Sequence, residues 1–224
     1  MKKASNIAVE SPIDGISRIK LNEPSTYNAL SSKMLESLIN IFKSLNNENK
    51  TKVIIIEGSG KGFSGGHDLK EIRSLKKKSK YKKLFNLCSK LMLEIVEGRK
   101  PVIAKVHGAA FAAGCQLVAS CDLAISSDDA IFATPGVNIG LFCSTPMVAV
   151  SRKVSRKKTM KMILTGDPID AKYAKEIGLI NDHYPILKLE DKTLELAKKI
   201  ASKSNLIIKI GKKAFYRQLE MPLK

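Results

Sequence analysis

Two stretches place glycine and alanine where a backbone can approach a ligand most closely. They are Gly58-Ser59-Gly60-Lys61-Gly62-Phe63-Ser64-Gly65-Gly66 and His107-Gly108-Ala109-Ala110-Phe111-Ala112-Ala113-Gly114. Each follows a run with the character of a buried strand, Val53-Ile54-Ile55-Ile56 and Pro101-Val102-Ile103-Ala104-Lys105-Val106, and each leads towards a helical pattern. Small side chains expose the backbone, and a helix N-terminus leaves N–H groups unpaired and partly positive. One such loop makes an anion cradle. Two loops facing each other can aim two N–H groups at one carbonyl oxygen, as an oxyanion hole does. Close packing of helix on strand explains the small residues equally well. Neither stretch reads as a P-loop or as a Rossmann fingerprint opening a helix.

The side chains near these loops offer little acid–base chemistry. Asp68 reads as the cap of the helix that follows it, and Asp122 as structural. Cys143, Ser144 and Thr145 include nucleophile types, but a nucleophile needs a base within hydrogen-bond reach. An N-cap by Ser144 or Thr145 ahead of Pro146 is the plainer reading. The four cysteines, Cys88, Cys115, Cys121 and Cys143, lie far apart with no C-x-x-C pair, so buried reduced thiols are expected and no metal.

The elements that must hold the loops follow from periodicity. Residues 7–21 read as two short strands about Asp14-Gly15. Ser31 or Ser32 caps an amphipathic helix with Met34, Leu35, Leu38, Ile39, Phe42 and Leu45 at helical spacing. A long basic helical stretch begins near Asp68. Cys121–Ile125 and Ala130–Thr134 read as further strands, and 145–178 as helical with breaks at Gly166-Asp167-Pro168. Leu179-Ile180 opens a short strand, and 190–203 and 205–220 read as helices. Strand, crossover helix, strand demands an α/β fold with a mostly parallel sheet.

With 224 residues, 44% of them hydrophobic, the chain suits one compact domain. Its apolar runs are far short of the ~18 residues that cross a bilayer. The basic start has no apolar region behind it, so a soluble intracellular protein is expected, cytoplasmic, or in the mitochondrial matrix if the source is eukaryotic. The net charge of +18 invites a nucleic-acid reading. Against it, 33 of the 39 cations are Lys, there is no Trp, and aromatics make up only 5%. A dense cluster from Lys70 to Lys83 fits a smaller polyanion such as a nucleotide-bearing cofactor, or a solvated face.

Taken together the motifs resemble the crotonase (enoyl-CoA hydratase/isomerase) superfamily. The resemblance is carried by Leu21-Asn22-Glu23-Pro24, Asn28-Ala29-Leu30 and Gly62-Phe63-Ser64-Gly65-Gly66-His67-Asp68-Leu69-Lys70-Glu71. It continues through His107–Gln116, Cys121-Asp122-Leu123-Ala124, Phe132-Ala133-Thr134-Pro135-Gly136 and Leu164–Gly178, covering residues 7–183. Gly140-Leu141-Phe142-Cys143-Ser144-Thr145-Pro146 and the Gly-His-Asp-Leu-Lys-Glu form are closest to one subgroup.

The resemblance implies a crotonase-like spiral of ββα units over 1–185, and a C-terminal helical region, 186–224, that is shortened relative to the family. It implies an acyl-CoA thioester as ligand, with coenzyme A as part of the substrate and no separate cofactor. It implies fatty-acid metabolism, a lyase or isomerase, and a homo-trimer or hexamer, an assembly that the short C-terminus weakens. By position, the oxyanion donors are the backbone N–H groups of His67 and Ala113. The His67 imidazole itself reads as packed on a neighbour. Substrate-binding positions are Ser25, Tyr27, Gly65, His67, Asp68, Leu69, Ala113, Pro135 and Gly136, with the Lys70–Lys83 cluster towards the phosphates. The family's hydratases use two glutamates, and here those positions hold Gln116 and Gly136. Gln is not a general acid or base, and Gly has no side chain. The usual two-glutamate hydration is therefore not expected. A non-catalytic acyl-CoA-binding or regulatory subunit is the alternative.

Overall fold

A computed structural model describes residues 6–222. β1 (Ile7–Ile13) and β2 (Ile16–Leu21) form the expected hairpin, with Ile13 opposite Ile16 and Gly15 at φ +80 in the turn. A 3-10 turn at Pro24–Thr26 leads to α1 (Ser32–Asn47). The Ser31 hydroxyl caps α1 by accepting the Met34 N–H at 3.2 Å, and the six apolar positions singled out by spacing are all buried.

β3 (Val53–Gly58) and β4 (Gly62–Ser64) come next, then α2 (Leu69–Ser74) and α3 (Lys78–Val96). β5 (Val102–Val106), β6 (Ala109–Phe111) and α4 (Ala113–Ser120) repeat the pattern, as do β7 (Leu123–Ser127), β8 (Ile131–Ala133), a 3-10 turn at Pro135–Ile139, and α5 (Ser144–Val150). α6 (Arg156–Thr165), β9 (Ile169–Asp170), α7 (Ala171–Glu176), β10 (Asp182–Tyr184), α8 (Ile186–Ala201) and α9 (Asn205–Leu219) complete the described chain.

The large sheet has the order β1-β2-β3-β5-β7-β10 and is parallel from β2 onward. The small sheet has the order β4-β6-β8-β9, parallel except for β8 with β9. Each of the pairs β3/β4, β5/β6 and β7/β8 gives its first strand to the large sheet and its second to the small one. That is a spiral of ββα units. The uninterrupted run in β3 has a direct cause: Ile54 and Ile56 join the core under α1 and α3, while Val53 and Ile55 join a second cluster with Ala197 of α8. Lys105, the one polar residue in β5, pairs with Glu57 and with Glu190 of α8.

Several sequence boundaries move. The basic stretch is two helices, because the chain turns extended at Leu75 and packs that side chain on the core. β4 and β6 lie inside what read as glycine loops. Residues 145–178 break a second time, between α5 and α6. Leu179 and Ile180 are not yet strand, since their N–H groups turn back to the Ala174 carbonyl at 2.9 and 3.4 Å. Ser144 is the first residue of α5 and no side chain caps it.

α9 buries no residue completely and is held by polar contacts. Lys212 Nζ donates to the carbonyls of Ile95 (2.8 Å) and Lys100 (2.9 Å) and to Asp122 (2.7 Å). Tyr216 donates to the other Asp122 oxygen at 2.9 Å, and Asp122 also accepts the Val102 N–H at 2.7 Å. Asp122 is structural, as expected.

Candidate active site

The first loop is clamped by Asn28, a buried residue at φ +51. Its Nδ2 donates to the carbonyls of Ser59 (2.9 Å), Gly62 (3.0 Å) and Phe63 (3.1 Å). Its own carbonyl accepts the Ser64 hydroxyl at 3.0 Å, and Ser64 Oγ accepts the Gly66 N–H at 3.2 Å. Gly65 N–H donates to the Tyr27 carbonyl (2.8 Å), and Leu30 N–H to the Gly66 carbonyl (2.7 Å). Segment 27–30 and the first loop are thus one unit, which sets Tyr27 against Gly65, while Ser25, like Tyr27, is exposed. Asp68 caps α2, accepting the N–H groups of Lys70 (2.8 Å) and Glu71 (3.2 Å), as its position suggested. Leu69 follows it, largely exposed.

The second loop meets the first face to face. A β-carbon on Gly66, which sits at φ +91, would lie 2.8 Å from the Phe111 carbonyl oxygen and 3.1 Å from the Ala113 nitrogen. Ala112, between β6 and α4, sits at φ 49, ψ −115, a conformation that costs a non-glycine residue on the order of 1–3 kcal/mol. It is held there by its N–H on the Ala133 carbonyl (2.9 Å) and its carbonyl on the Gln116 N–H (3.0 Å). This twist opens α4 at Ala113. Among the described residues, neither the His67 nor the Ala113 N–H finds an acceptor. Ala113 is fully buried, so its orphaned donor is a costly feature that a bound oxygen would relieve.

The His67 imidazole packs, as expected, on neighbours. Its Nδ1 lies 3.1 Å from the Leu30 carbonyl, and its ring meets Phe85 edge-on at 5.5 Å. Since a carbonyl only accepts, Nδ1 carries the proton and Nε2 is left buried without a partner. Burial lowers the His67 pKa, opposed by the Leu30 carbonyl and by Glu71. The unfolded chain therefore takes up a proton that the folded one resists, and stability should fall as pH drops below about 6.5, the ordinary imidazole value. Between about pH 7.5 and 5.5 the wild type should lose more melting temperature than His67→Gln, which keeps a donor for Leu30. Equal losses would remove His67 as the source.

Gln116 and Gly136 are both buried. Gln116 stands three residues after Ala113, so its side chain shares that face and leans back towards the helix start. Burial pushes the Cys88 thiol up to about 12, so it stays protonated and donates to Gln116 Oε1 at 3.7 Å. Gly136 follows the half-buried Pro135 in the 3-10 turn. A β-carbon there would come 2.6 Å from the Leu141 carbonyl oxygen and 2.9 Å from Cys143 Sγ. Periodicity gives no sign of this plug, of the Asn28 clamp or of the strain at Ala112. Among the described residues no group of three His, Cys, Asp or Glu is placed to hold a metal.

The sequence profile of the enoyl-CoA hydratase/isomerase family matches residues 13–224. The chain is 48% identical over 211 residues to Homo sapiens enoyl-CoA hydratase domain-containing protein 3, mitochondrial, over 94% of this chain and 70% of that protein. It is 32% identical to Pongo abelii enoyl-CoA hydratase, mitochondrial, over 92% and 70% of the two chains. Among solved structures, an enoyl-CoA hydratase of Mycobacterium smegmatis superposes with a TM-score of 0.96 at 42% identity, over 98% of this chain and 85% of that one. The human domain-containing protein 3 gives 0.94 at 46%, over 98% and 86%. The subgroup to which the Gly140–Pro146 string pointed is that same domain-containing protein 3.

Proposed function

The chain belongs to the enoyl-CoA hydratase/isomerase family and has its crotonase fold, and on that premise we propose that it binds acyl-CoA thioesters of fatty-acid metabolism through a two-loop oxyanion hole. The thioester oxygen accepts the N–H groups of His67 and Ala113. What supports this is the pair of acceptor-free N–H groups on two loops in contact, one of them at a buried and strained helix start. Such donors are worth most where they are held in place before charge develops on the oxygen. Polarising the carbonyl acidifies the α-carbon, so any reaction here takes its proton transfer from the substrate or from a group other than glutamate. Coenzyme A enters as part of the substrate.

A second reading, a non-catalytic acyl-CoA binder or regulatory subunit, draws support from the missing carboxylates at Gln116 and Gly136 and from the crowding over Gly136. The mitochondrial names of the animal relatives support a matrix location. The homo-trimer or hexamer that the resemblance implies would cover apolar side chains that are exposed here, Leu141, Phe142, Val148 and Leu164 among them. No described helix is long and apolar enough to cross a membrane.

A ligand that binds only the native state stabilises it by RT ln(1 + [L]/Kd), ~2.7 kcal/mol at a hundredfold excess over Kd. Saturating acyl-CoA should therefore raise the melting temperature at low salt, and the analogue lacking the thioester carbonyl should raise it less. An unmoved melting temperature with every acyl-CoA tried would end the proposal. Equal shifts from thioester and carbonyl-free analogue would keep the binding and discard the oxyanion hole.

A further inference from the structure

We propose that the α2–α3 ridge docks this protein on an anionic phospholipid surface. Between Lys70 and Lys90 the chain carries eight lysines and one arginine against a single acid, Glu71. All nine cations are exposed, and none has an ion-pair partner among the described residues. Elsewhere lysines do find acids, as Lys105, Lys158, Lys175 and Lys192 show. Glu71 itself is turned away, accepting the Ser32 N–H at 2.9 Å.

α3 presents this charge from a fixed position. Leu84, Cys88, Leu91, Met92 and Ile95 seat one face of it in the core. On the outer face Ser79, Lys82, Lys83, Asn86, Leu87 and Lys90 line a shallow open hollow of about 410 Å³. Leu93, 52% exposed, stands one turn further on and adds an apolar contact at the same surface. The ridge also begins at the first loop, since Phe85 touches the His67 ring. Docking there would set the mouth of the candidate site against the surface.

Charge complementarity selects the occupant. A single coenzyme A brings three phosphates, too few to neutralise nine cations whose α3 members alone extend over roughly 18 Å. Nucleic acid is read by arginine forks and aromatic platforms. The segment has one arginine, and its two aromatics, Tyr81 and Phe85, are only partly exposed. Lysine is a compact, hydrated point charge, which suits the diffuse negative potential of a lipid headgroup layer. The inference rests on charge placement and stands apart from the acyl-CoA reading.

The test is co-sedimentation of the full chain with phosphatidylcholine vesicles, either pure or containing about one third phosphatidylglycerol. Binding is expected to the anionic vesicles alone and to be lost at ~0.5 M salt. The ridge variant Lys77→Glu/Lys80→Glu/Lys83→Glu should bind at least tenfold more weakly. Lys198→Glu/Lys199→Glu/Lys203→Glu changes the net charge equally at the far end of α8 and should bind nearly as well as the wild type. A cooperative melt for both variants keeps the comparison one of surfaces. Failure to bind anionic vesicles overturns the proposal, and so does an equal loss in the two variants, which would leave only bulk charge. Release from the vesicles by excess free coenzyme A assigns the ridge to soluble phosphate and overturns it too. An oligonucleotide that displaces the vesicles, and whose own binding the ridge variant abolishes, overturns it in favour of nucleic acid.

Discussion

Gly114→Ala is expected to destabilise the protein by about 3 kcal/mol, at the upper end of what overpacking usually costs, and Gly114→Val to leave no cooperative folded state. A β-carbon at Gly114 would stand 2.3 Å from the Ser64 carbonyl oxygen and 2.9 Å from Ser64 Cβ. Those atoms have nowhere to go. Ser64 ends β4 beside Ala110 of β6, and its hydroxyl is bonded to the Asn28 carbonyl. The same exchange at Gly211 in α9, where an added β-carbon meets nothing within 4 Å, should instead stabilise by up to ~1 kcal/mol through helix propensity. Chemical denaturation of the pair gives two shifts of opposite sign. An oxyanion role for this loop would make Gly114→Val a selective loss of thioester affinity in a folded protein, and close packing alone would make it a plain loss of stability. The contact with Ser64 favours packing. A Gly114→Ala protein with wild-type stability and weakened thioester binding alone would reverse that judgement.

The hairpin, α1 and the buried strands were legible in the sequence because each is set by local period, whereas the ββα spiral came only from the resemblance, since β4 and β6 lie inside what read as glycine loops. Ser31 caps where a serine should, and β3 reads as buried on both faces because it is. The two loops were legible as composition, and the resemblance assigned their donors to His67 and Ala113. What could not be read depends on residues distant in sequence. Ala112 accepts φ 49 only because Ala133 and Gln116 hold it, and a relaxed chain shows no such preference. Asn28 looks like a turn residue until the carbonyls of Ser59, Gly62 and Phe63 converge on its amide. The break at Leu75 interrupts a stretch of good helix formers, so tertiary packing of one leucine overrides propensity there. Gly136 reads as a lost carboxylate. Its surroundings add that the space has been filled.

That filled space sets the largest catalytic expectation. Hydration of crotonyl-CoA should run at least ~10²-fold, and on the order of 10⁴-fold, below an ordinary hydratase of the family, because positioned acid–base groups contribute that range. Restoring the carboxylates should not recover it. At Gly136 the β-carbon of glutamate would lie 2.6 Å from the Leu141 carbonyl oxygen. Leu141 is itself fixed, its N–H donating to the Gly136 carbonyl at 2.9 Å, and Cys143 Sγ closes the other side. Gly136→Glu must therefore displace backbone before its carboxyl can reach any water. Gln116→Glu meets a different obstacle. The new carboxyl would be buried beside the Cys88 thiol, and burial favours its protonated form, which cannot take a proton from water. The double variant combines the two defects and corrects neither. Steady-state hydration assays on the wild type, both single variants and the double one decide the matter. Wild-type turnover within tenfold of a family hydratase would show that hydration here does not need the two carboxylates, and a hundredfold gain in a folded double variant would show that the Leu141–Cys143 segment yields to a side chain at 136.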